Sequence, residues 1–471
     1  MNRHLFFLLV GIALVLGGCT LAPKYTRPEA PISADWPTGA AYRETKAMPG
    51  TPTATELQWR EFFADERLQQ IIDTALKNNR DLRLAALNVQ RARALYGIQR
   101  AEVFPSVNAV GSGSRQRVPA DLSTSGNAMT TERYDVNLGI GSWEIDFFGR
   151  IRSLKDRALE EYLATEQARR SAQILLVSAV ANSYLAFAAD REHLKLAEST
   201  LETQETAYNL IRRRYEVGLA SELDLRQAQT QVDTGRGDIA RFMQLVAQDE
   251  NALNLLVGFP SPMPNEILSE DLASVKPPKE ISPGMPSEVL LRRPDILAGE
   301  HRLKAANANI RAARAAFFPR IALTTAFGTA SSDLSGLFKA GSGTWSFAPQ
   351  IAMPIFDARL WSAYDATKVE KETALAQYEK AIQTAFREVA DALAVRGTVE
   401  SQISAQQSLV NAVAETYRLA NVRYTTGIDS YLGVLDAQRS LYAAEQGLIT
   451  TRLARLANQV QLYAVLGGGG E

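Results

Sequence analysis

The chain has 471 residues, roughly two to four times the usual domain size, with 51 Lys+Arg against 52 Asp+Glu and a formal net charge of −1, so no positive field favours nucleic acid. One cysteine and three histidines cannot build a thiolate or imidazole cluster, and no nucleophile or acid–base pair converges; no metal ligand and no catalytic residue is assigned, and an enzyme is not expected. No apolar run reaches 18 residues, so any bilayer crossing must be made of strands.

Arg3 and His4 precede a 12-residue apolar run, Leu5 to Leu16, too short to span a bilayer and suited to the h-region of a secretory signal. The run ends in Leu16-Gly17-Gly18-Cys19, which resembles the lipobox of bacterial lipoproteins. Residues 1–18 are then a lipoprotein signal peptide, and Cys19, the only cysteine, is the lipidated mature N-terminus. The alternative is an ordinary signal with an incidental cysteine. No other cofactor is expected. Thr20 follows where an aspartate would retain many lipoproteins at the inner membrane, so the resemblance implies the outer membrane. Residues 19–65 read as an N-terminal extended segment.

From residue 66 onward one plan is written twice, over 66–258 and 287–467. Asn79-Arg80-Asp81-Leu82 with Phe104-Pro105 returns as Arg293-Pro294-Asp295-Ile296 with Phe318-Pro319. Arg214-Tyr215, Gly218, Ser221 and Leu223 return as Arg423-Tyr424, Gly427, Ser430 and Leu432 at a constant offset of 209. Between the halves, 259–286 is a proline-rich link, and 468–471 is a C-terminal tail.

Proline and glycine cut each half into four pieces. A helix over 81–104 (repeat 295–317) leads into a hairpin over 106–145 (repeat 320–356), with strands near 106–117 and 132–145, then 320–330 and 344–356. A long helix follows over 150–216 (repeat 359–425), then a glycine turn and a return helix over 220–257 (repeat 429–466). At 1.5 Å per residue the 67-residue helix spans about 100 Å, and the 24- and 38-residue helices end to end about 93 Å, so each half can form two parallel columns of equal height.

The run Tyr134-Asp135-Val136-Asn137-Leu138-Gly139-Ile140-Gly141 alternates strictly, with Tyr, Val, Leu and Ile on one face. Ile321, Leu323 and Phe327, then Trp345, Phe347, Ile351, Met353 and Ile355, alternate likewise. The wet face can line a water-filled barrel, with Tyr134, Trp143 and Trp345 as interfacial aromatics; the alternative is a soluble sandwich. Bacterial barrels begin at about 8 strands, so four per chain must be pooled, and three chains give twelve. On the long helix, the stripes Ile174, Val177, Ala181, Tyr184, Ala188 and Leu176, Val180, Ser183, Phe187 face opposite ways, as a stave in a cylinder wall requires. Nearer the turn the spacing becomes heptad: Leu194, Ala197, Leu201, Gln204, Tyr208, Ile211, Tyr215, and again Ile403, Gln406, Val410, Val413, Tyr417, Ala420, Tyr424.

The doubled plan, Asn79-Arg80-Asp81-Leu82, Arg293-Pro294-Asp295-Ile296, and Tyr424-Thr425-Thr426-Gly427 with Leu435-Asp436-Ala437-Gln438 resemble the TolC family of outer-membrane efflux channels, and the lipobox points to its OprM-like lipoprotein branch. The resemblance implies a mainly α homotrimer: a twelve-stranded outer-membrane β-barrel, four strands per chain, continued by a long periplasmic α-helical barrel. An equatorial region would come from the chain ends and the proline-rich link. Function follows as a passive, gated exit duct for drugs and other small amphiphilic molecules, fed by an inner-membrane pump of the resistance-nodulation-division type through a periplasmic adaptor. The alternatives are an exit duct for type I polypeptide secretion and a non-transporting cell-envelope scaffold.

The resemblance also implies a periplasmic gate. Asp436 matches an aspartate that rings the family's aperture, Leu432 an apolar constriction, and Arg439 can join them beside Asp436. Three carboxylates round a narrow pore favour cations and can bind a divalent ion. Asp224 and Tyr424 match partners in the network that latches the tip. Two departures stand out: Asp429 where the archetype has arginine, and Gly433 where it has a second acidic ring.

Overall fold

The computed structural model describes residues 25–42, 51–258, 268–269, 271–283 and 289–469; Cys19, the signal segment and part of the proline-rich link lie outside the described residues. The chain divides into two compact units, one of Met1–Pro28, Val89–Thr165 and Gly299–Tyr378, the other of Glu29–Asn88, Glu166–Ala298 and Glu379–Glu471.

In chain order the elements are α1 (Glu66–Asn78), α2 (Arg80–Ala101), β1 (Val107–Val118), β2 (Met129–Ile145), α3 (Arg150–Glu216), α4 (Glu222–Val257), α5 (Pro294–Ala315), β3 (Arg320–Ser331), β4 (Gly343–Ala352), α6 (Ala358–Thr425) and α7 (Tyr431–Val465). α1 is not expected from the sequence pattern; Asp65 caps it by accepting the Leu68 N–H at 3.0 Å. The last strand, expected to reach 356, ends as β4 at Ala352, two residues before Pro354, which has no N–H for a ladder.

The first unit holds a four-stranded antiparallel sheet in the order β1-β2-β3-β4. Its register gathers Ala109, Leu138, Phe327 and Trp345 into one cross-strand row, and Val107, Ile140, Thr325 and Phe347 into the next. Leu138, Phe327, Trp345 and Phe347 are exposed, Trp345 to 78%. Between Ile140 and Trp143 the β2–β3 register slips by one residue, a bulge that changes the parity of β2. Trp143 and Ile145 thereby share the apolar face with Leu323 and Ile321, although their numbers are odd where Leu138 and Ile140 are even.

On the opposite face Gly139 and Gly328 form a crease between β2 and β3. A Cβ on Gly139 would lie 2.2 Å from the Thr325 carbonyl oxygen, and one on Gly328 2.1 Å from that of Val136. Only glycine permits this approach, and a sheet creased on its wet face curves toward it.

In the second unit the α3 residues Ile174, Val177, Ala181, Tyr184, Ala188, Leu176, Val180 and Phe187 are all buried, so both stripes have neighbours within one chain. The repeat motif has a shared physical task. Asn79 Nδ2 donates to the Leu256 carbonyl at 2.9 Å, and Arg293 Nη1 donates to the Val465 carbonyl at 2.7 Å. Each satisfies an orphan acceptor in the last turn of its own return helix. The N-terminal segment, the link and the end of α7 meet where Phe62 stacks on Tyr463 at 3.9 Å, Tyr463 donates to the Leu57 carbonyl at 2.7 Å, and Lys279 N–H donates to the Phe62 carbonyl at 2.9 Å.

Each helix pair also seats a glutamine against a glycine of the facing helix. A Cβ on Gly235 would lie 2.7 Å from Gln204 Oε1, and one on Gly447 2.5 Å from Gln406 Nε2, which donates to the Ala444 carbonyl at 2.9 Å. Gln204 lies 14 residues before Gly218, and Gln406 lies 21 before Gly427, so the second insertion is one heptad further from its turn.

Candidate functional site

Both long helices end in the same turn chemistry. Gly218 and Gly427 have φ of 78° and 77°, the left-handed region that side chains disfavour. The next residue donates back to the last helical turn, Leu219 N–H to the Arg214 carbonyl at 2.7 Å and Ile428 N–H to that of Arg423 at 2.9 Å. Sequence near the turns then diverges. Ser221 caps α4 in a box with Asp224: Ser221 Oγ accepts the Asp224 N–H at 3.1 Å, and Asp224 Oδ2 accepts the Ser221 N–H at 3.1 Å.

The four helix ends share a core of Ile211, Ala228, Tyr431, Val434 and Leu435, with Tyr208, Leu225, Tyr417 and Tyr424 packed against it. Tyr431 is buried and its ring lies 5.1 Å from that of Tyr424. Burial pushes the Tyr431 phenol well above its ordinary range, so it stays neutral.

Of the sequence-derived site residues, the structure brings Asp436 and Arg439 together: Arg439 Nη2 donates to Asp436 Oδ1 at 3.0 Å. Leu432, Asp436 and Arg439 lie on one exposed face of α7, while Tyr431, Val434, Leu435 and Gln438 turn into the core. Asp436 is 73% exposed, a carboxylate presented to whatever lies across that face. Asp224 and Tyr424 are not joined to each other; Asp224 is held in its capping box, and Tyr424 Oη accepts from Arg214 Nη1 at 3.2 Å, with the guanidinium also over its ring. Asp429 accepts from Arg423, and that hydrogen bond holds its carboxyl below the ordinary range.

Arg214 and Arg423, which the sequence pattern does not assign to the candidate site, thus each bond one of its residues. The signal was present, since both belong to the repeated Arg-Tyr pair. Their different partners follow from the turn: Asp429 stands in the second repeat where Ala220 stands in the first, so Arg423 finds a carboxylate close at hand and Arg214 reaches across to Tyr424.

Residues 71–259 and 285–468 match the family model of the outer membrane efflux proteins, one match per repeat. Over 474 aligned residues the chain is 52% identical to the toluene efflux pump outer membrane protein TtgC of Pseudomonas putida and, equally, to the antibiotic efflux pump outer membrane protein ArpC of that species; each alignment covers 100% of this chain and 96% of the relative. Among solved structures, the open state of the Neisseria gonorrhoeae MtrE outer membrane channel superposes with a TM-score of 0.86 at 37% identity, covering 96% of this chain and 99% of that one. The fold is that of the TolC-type channels, and with it comes an outer-membrane location with helices reaching into the periplasm. The chain is a member of the outer membrane efflux protein family.

Proposed function

We propose that this chain is the passive, gated exit duct of a tripartite efflux system for drugs, solvents and other small amphiphilic molecules, working as a homotrimer with a periplasmic adaptor and an inner-membrane pump. The observation that carries the reading is the sheet: apolar side chains are exposed along one face, a glycine crease curves the other, and among the described residues the outer edges of β1 and β4 are unpaired. Four strands are too few to close a membrane barrel, and the open edges are the natural joints for pooling three sheets into twelve strands. Exposed Leu84, Leu87, Leu95 and Ile98 on α2, which has no buried residue within one chain, add helical surface for the same assembly. The printed names of the relatives, toluene and antibiotic efflux pumps, support small apolar and amphiphilic cargo.

The lipid anchor is assigned to Cys19 and the periplasmic gate to Leu432 and Asp436, with Arg439 beside them. Three copies of Asp436 round an aperture would form a ring of carboxylates favouring cations, and Leu432 one turn earlier would narrow it. Asp224, Tyr424 and Asp429, with Arg214 and Arg423, would set how far the helix ends can part. Cellular accumulation of ethidium, with the native pump and adaptor present, tests the reading. Deletion of the gene should raise accumulation and the intact gene should restore it. Unchanged accumulation with loss of a secreted protein from the medium would replace this function by polypeptide secretion.

A further inference from the structure

The far end of the sheet carries charge on the face that is apolar lower down. Along β1 the register keeps Ala109, Gly111, Gly113, Arg115 and Arg117 on one face, opposite Leu138, Val136, Tyr134, Glu132 and Thr130 of β2. The register is continuous over these pairs, so Arg115 and Arg117 lie on the same face as the exposed Leu138, Phe327 and Trp345. They stand beyond Tyr134 and Ser331, the last pair of β2 with β3, where the β1–β2 hairpin continues on its own.

Tyr134 marks the boundary. Its ring lies across Gly113, where a Cβ would sit 3.2 Å from Cδ1, and its hydroxyl reaches away from the apolar rows to donate to Glu132 Oε2 at 3.3 Å. An aromatic body over apolar rows, with its polar tip turned outward, is the arrangement of an interfacial girdle. From Tyr134 to Ile145, where β2 ends, is 11 residues, roughly 37 Å of strand and, at the usual barrel tilt of about 35–45°, about 26–30 Å of height. The apolar band of membrane barrels is about 25 Å tall. Since the helices of this family reach into the periplasm, the end of the sheet away from them faces out of the cell, and Arg115 and Arg117 fall in the headgroup layer of the outer leaflet.

The two arginines suit a phosphate. Glu132 lies 3.0 Å from Arg115 Nε, which steadies that side chain by one edge while leaving it 74% exposed. Arg117, two residues on, is exposed and has no ion pair or hydrogen-bond acceptor among the described residues. Residues two apart on one strand face are about 7 Å apart, so both guanidinium forks can close on a single phosphate. Other charges at this end are turned away or apart: Arg133 is on the opposite face with Asp135 at 3.4 Å, and Asp121, Asp333 and Lys339, exposed in the two turns, make no ion pair with either arginine.

We propose that Arg115 and Arg117 bind the phosphate of a phosphorylated glycolipid in the outer leaflet, one site on each chain, with Glu132 setting the direction of Arg115. The proposal rests on the reading of this chain as an outer-membrane duct.

Retention of lipid A by the purified full chain through detergent exchange, quantified by mass spectrometry, tests it. Wild type should retain lipid A and release dephosphorylated lipid A. The double variant Arg115→Gln/Arg117→Gln should retain at least about tenfold less, having lost two charge-assisted contacts, while conducting in a planar bilayer as wild type does. Arg117→Lys keeps the charge without the fork and should fall between them; if the double variant does not conduct, this variant carries the comparison. Equal retention by wild type and variant, or of the two lipids by wild type, would overturn the site. So would displacement of lipid A by millimolar inorganic phosphate, which would make free phosphate the ligand. Equal loss of lipid from wild type and variant on adding EDTA would also overturn it, since Glu132 would then hold the lipid through a cation. A wild-type chain that conducts no current counts against the duct itself, whereas a conducting chain with no preference for the phosphorylated lipid counts against this site alone.

Discussion

Arg439 donates to the carboxylate of Asp436 three residues earlier on the same helix, so the charge assigned to the aperture has a counter-charge from its own chain. Both groups are more than half exposed, which makes the pair weak and easily exchanged for solvent or for an ion. Asp436→Ala should raise the closed-state conductance in a planar bilayer by removing the charged ring. Arg439→Ala should leave conductance closer to wild type while increasing cation selectivity, because Asp436 then lacks its partner. An unchanged conductance and selectivity in both variants would remove this face of α7 from the gate.

Asp429 and Arg423 act at the turn itself. Their bond depresses the Asp429 carboxyl in the folded state, so its contribution is present at neutral pH and is lost only as pH falls below the ordinary aspartate range. Arg423→Ala is expected to lower the unfolding midpoint only slightly, since the pair is about half exposed and screened by solvent, yet to increase the frequency of channel opening. A conductance record identical to wild type would show that this pair only shapes the turn.

Tyr431 is the largest side chain in the core of the tip. Tyr431→Ala should cost about 3–5 kcal/mol of local stability, as aromatic-to-alanine changes in cores do, and hydrogen exchange should speed up in residues 208–228 and 417–438. Tyr431→Phe keeps the ring and should stay near wild type. Equal effects of the two changes would mean that the hydroxyl, and not packing, matters.

Gly328→Ala and Gly139→Ala place a methyl group on a backbone carbonyl of the neighbouring strand, and should prevent assembly of the proposed trimer, read by native electrophoresis in detergent. Gly111→Ala meets only a side-chain methyl at 3.8 Å and should assemble normally. Normal assembly of Gly328→Ala would show that the crease is not required.

Cys19→Ser should remove the acyl mass from the N-terminal peptide while leaving assembly of the helices and strands in place. An unmodified N-terminal peptide in wild type, by mass spectrometry, would refute the lipidation assignment.

The helices are legible in this sequence because single residues punctuate them. Gly218 and Gly427 stop α3 and α6 through a backbone angle that other residues avoid, and Pro105 and Pro319 stand just beyond α2 and α5. The separation of α1 from α2 is harder to read, because the one residue Asn79 both ends α1 and caps α2: its Oδ1 accepts the Leu82 N–H at 2.9 Å while its Nδ2 donates to the Leu256 carbonyl, 177 residues away. The bulge in β2 is written as a change of parity between Ile140 and Trp143, yet only the pairing with Leu323 shows which residue is extra. In the proposed gate, the family resemblance assigns Asp436 and Leu432 but not the bonds of Arg214 and Arg423, since these depend on which acceptor the folded turn or the opposite helix end brings near.

The two glutamine insertions sit at different heights, one heptad apart when measured from their turns. Seen end-on, a ring of three such chains would carry six helical hairpins that look alike in outline but alternate in kind. Its true symmetry would be threefold and only its silhouette sixfold. A partner assembled from six identical subunits would then meet two sorts of seat in turn, and could bind one sort more tightly than the other without any difference among its own copies.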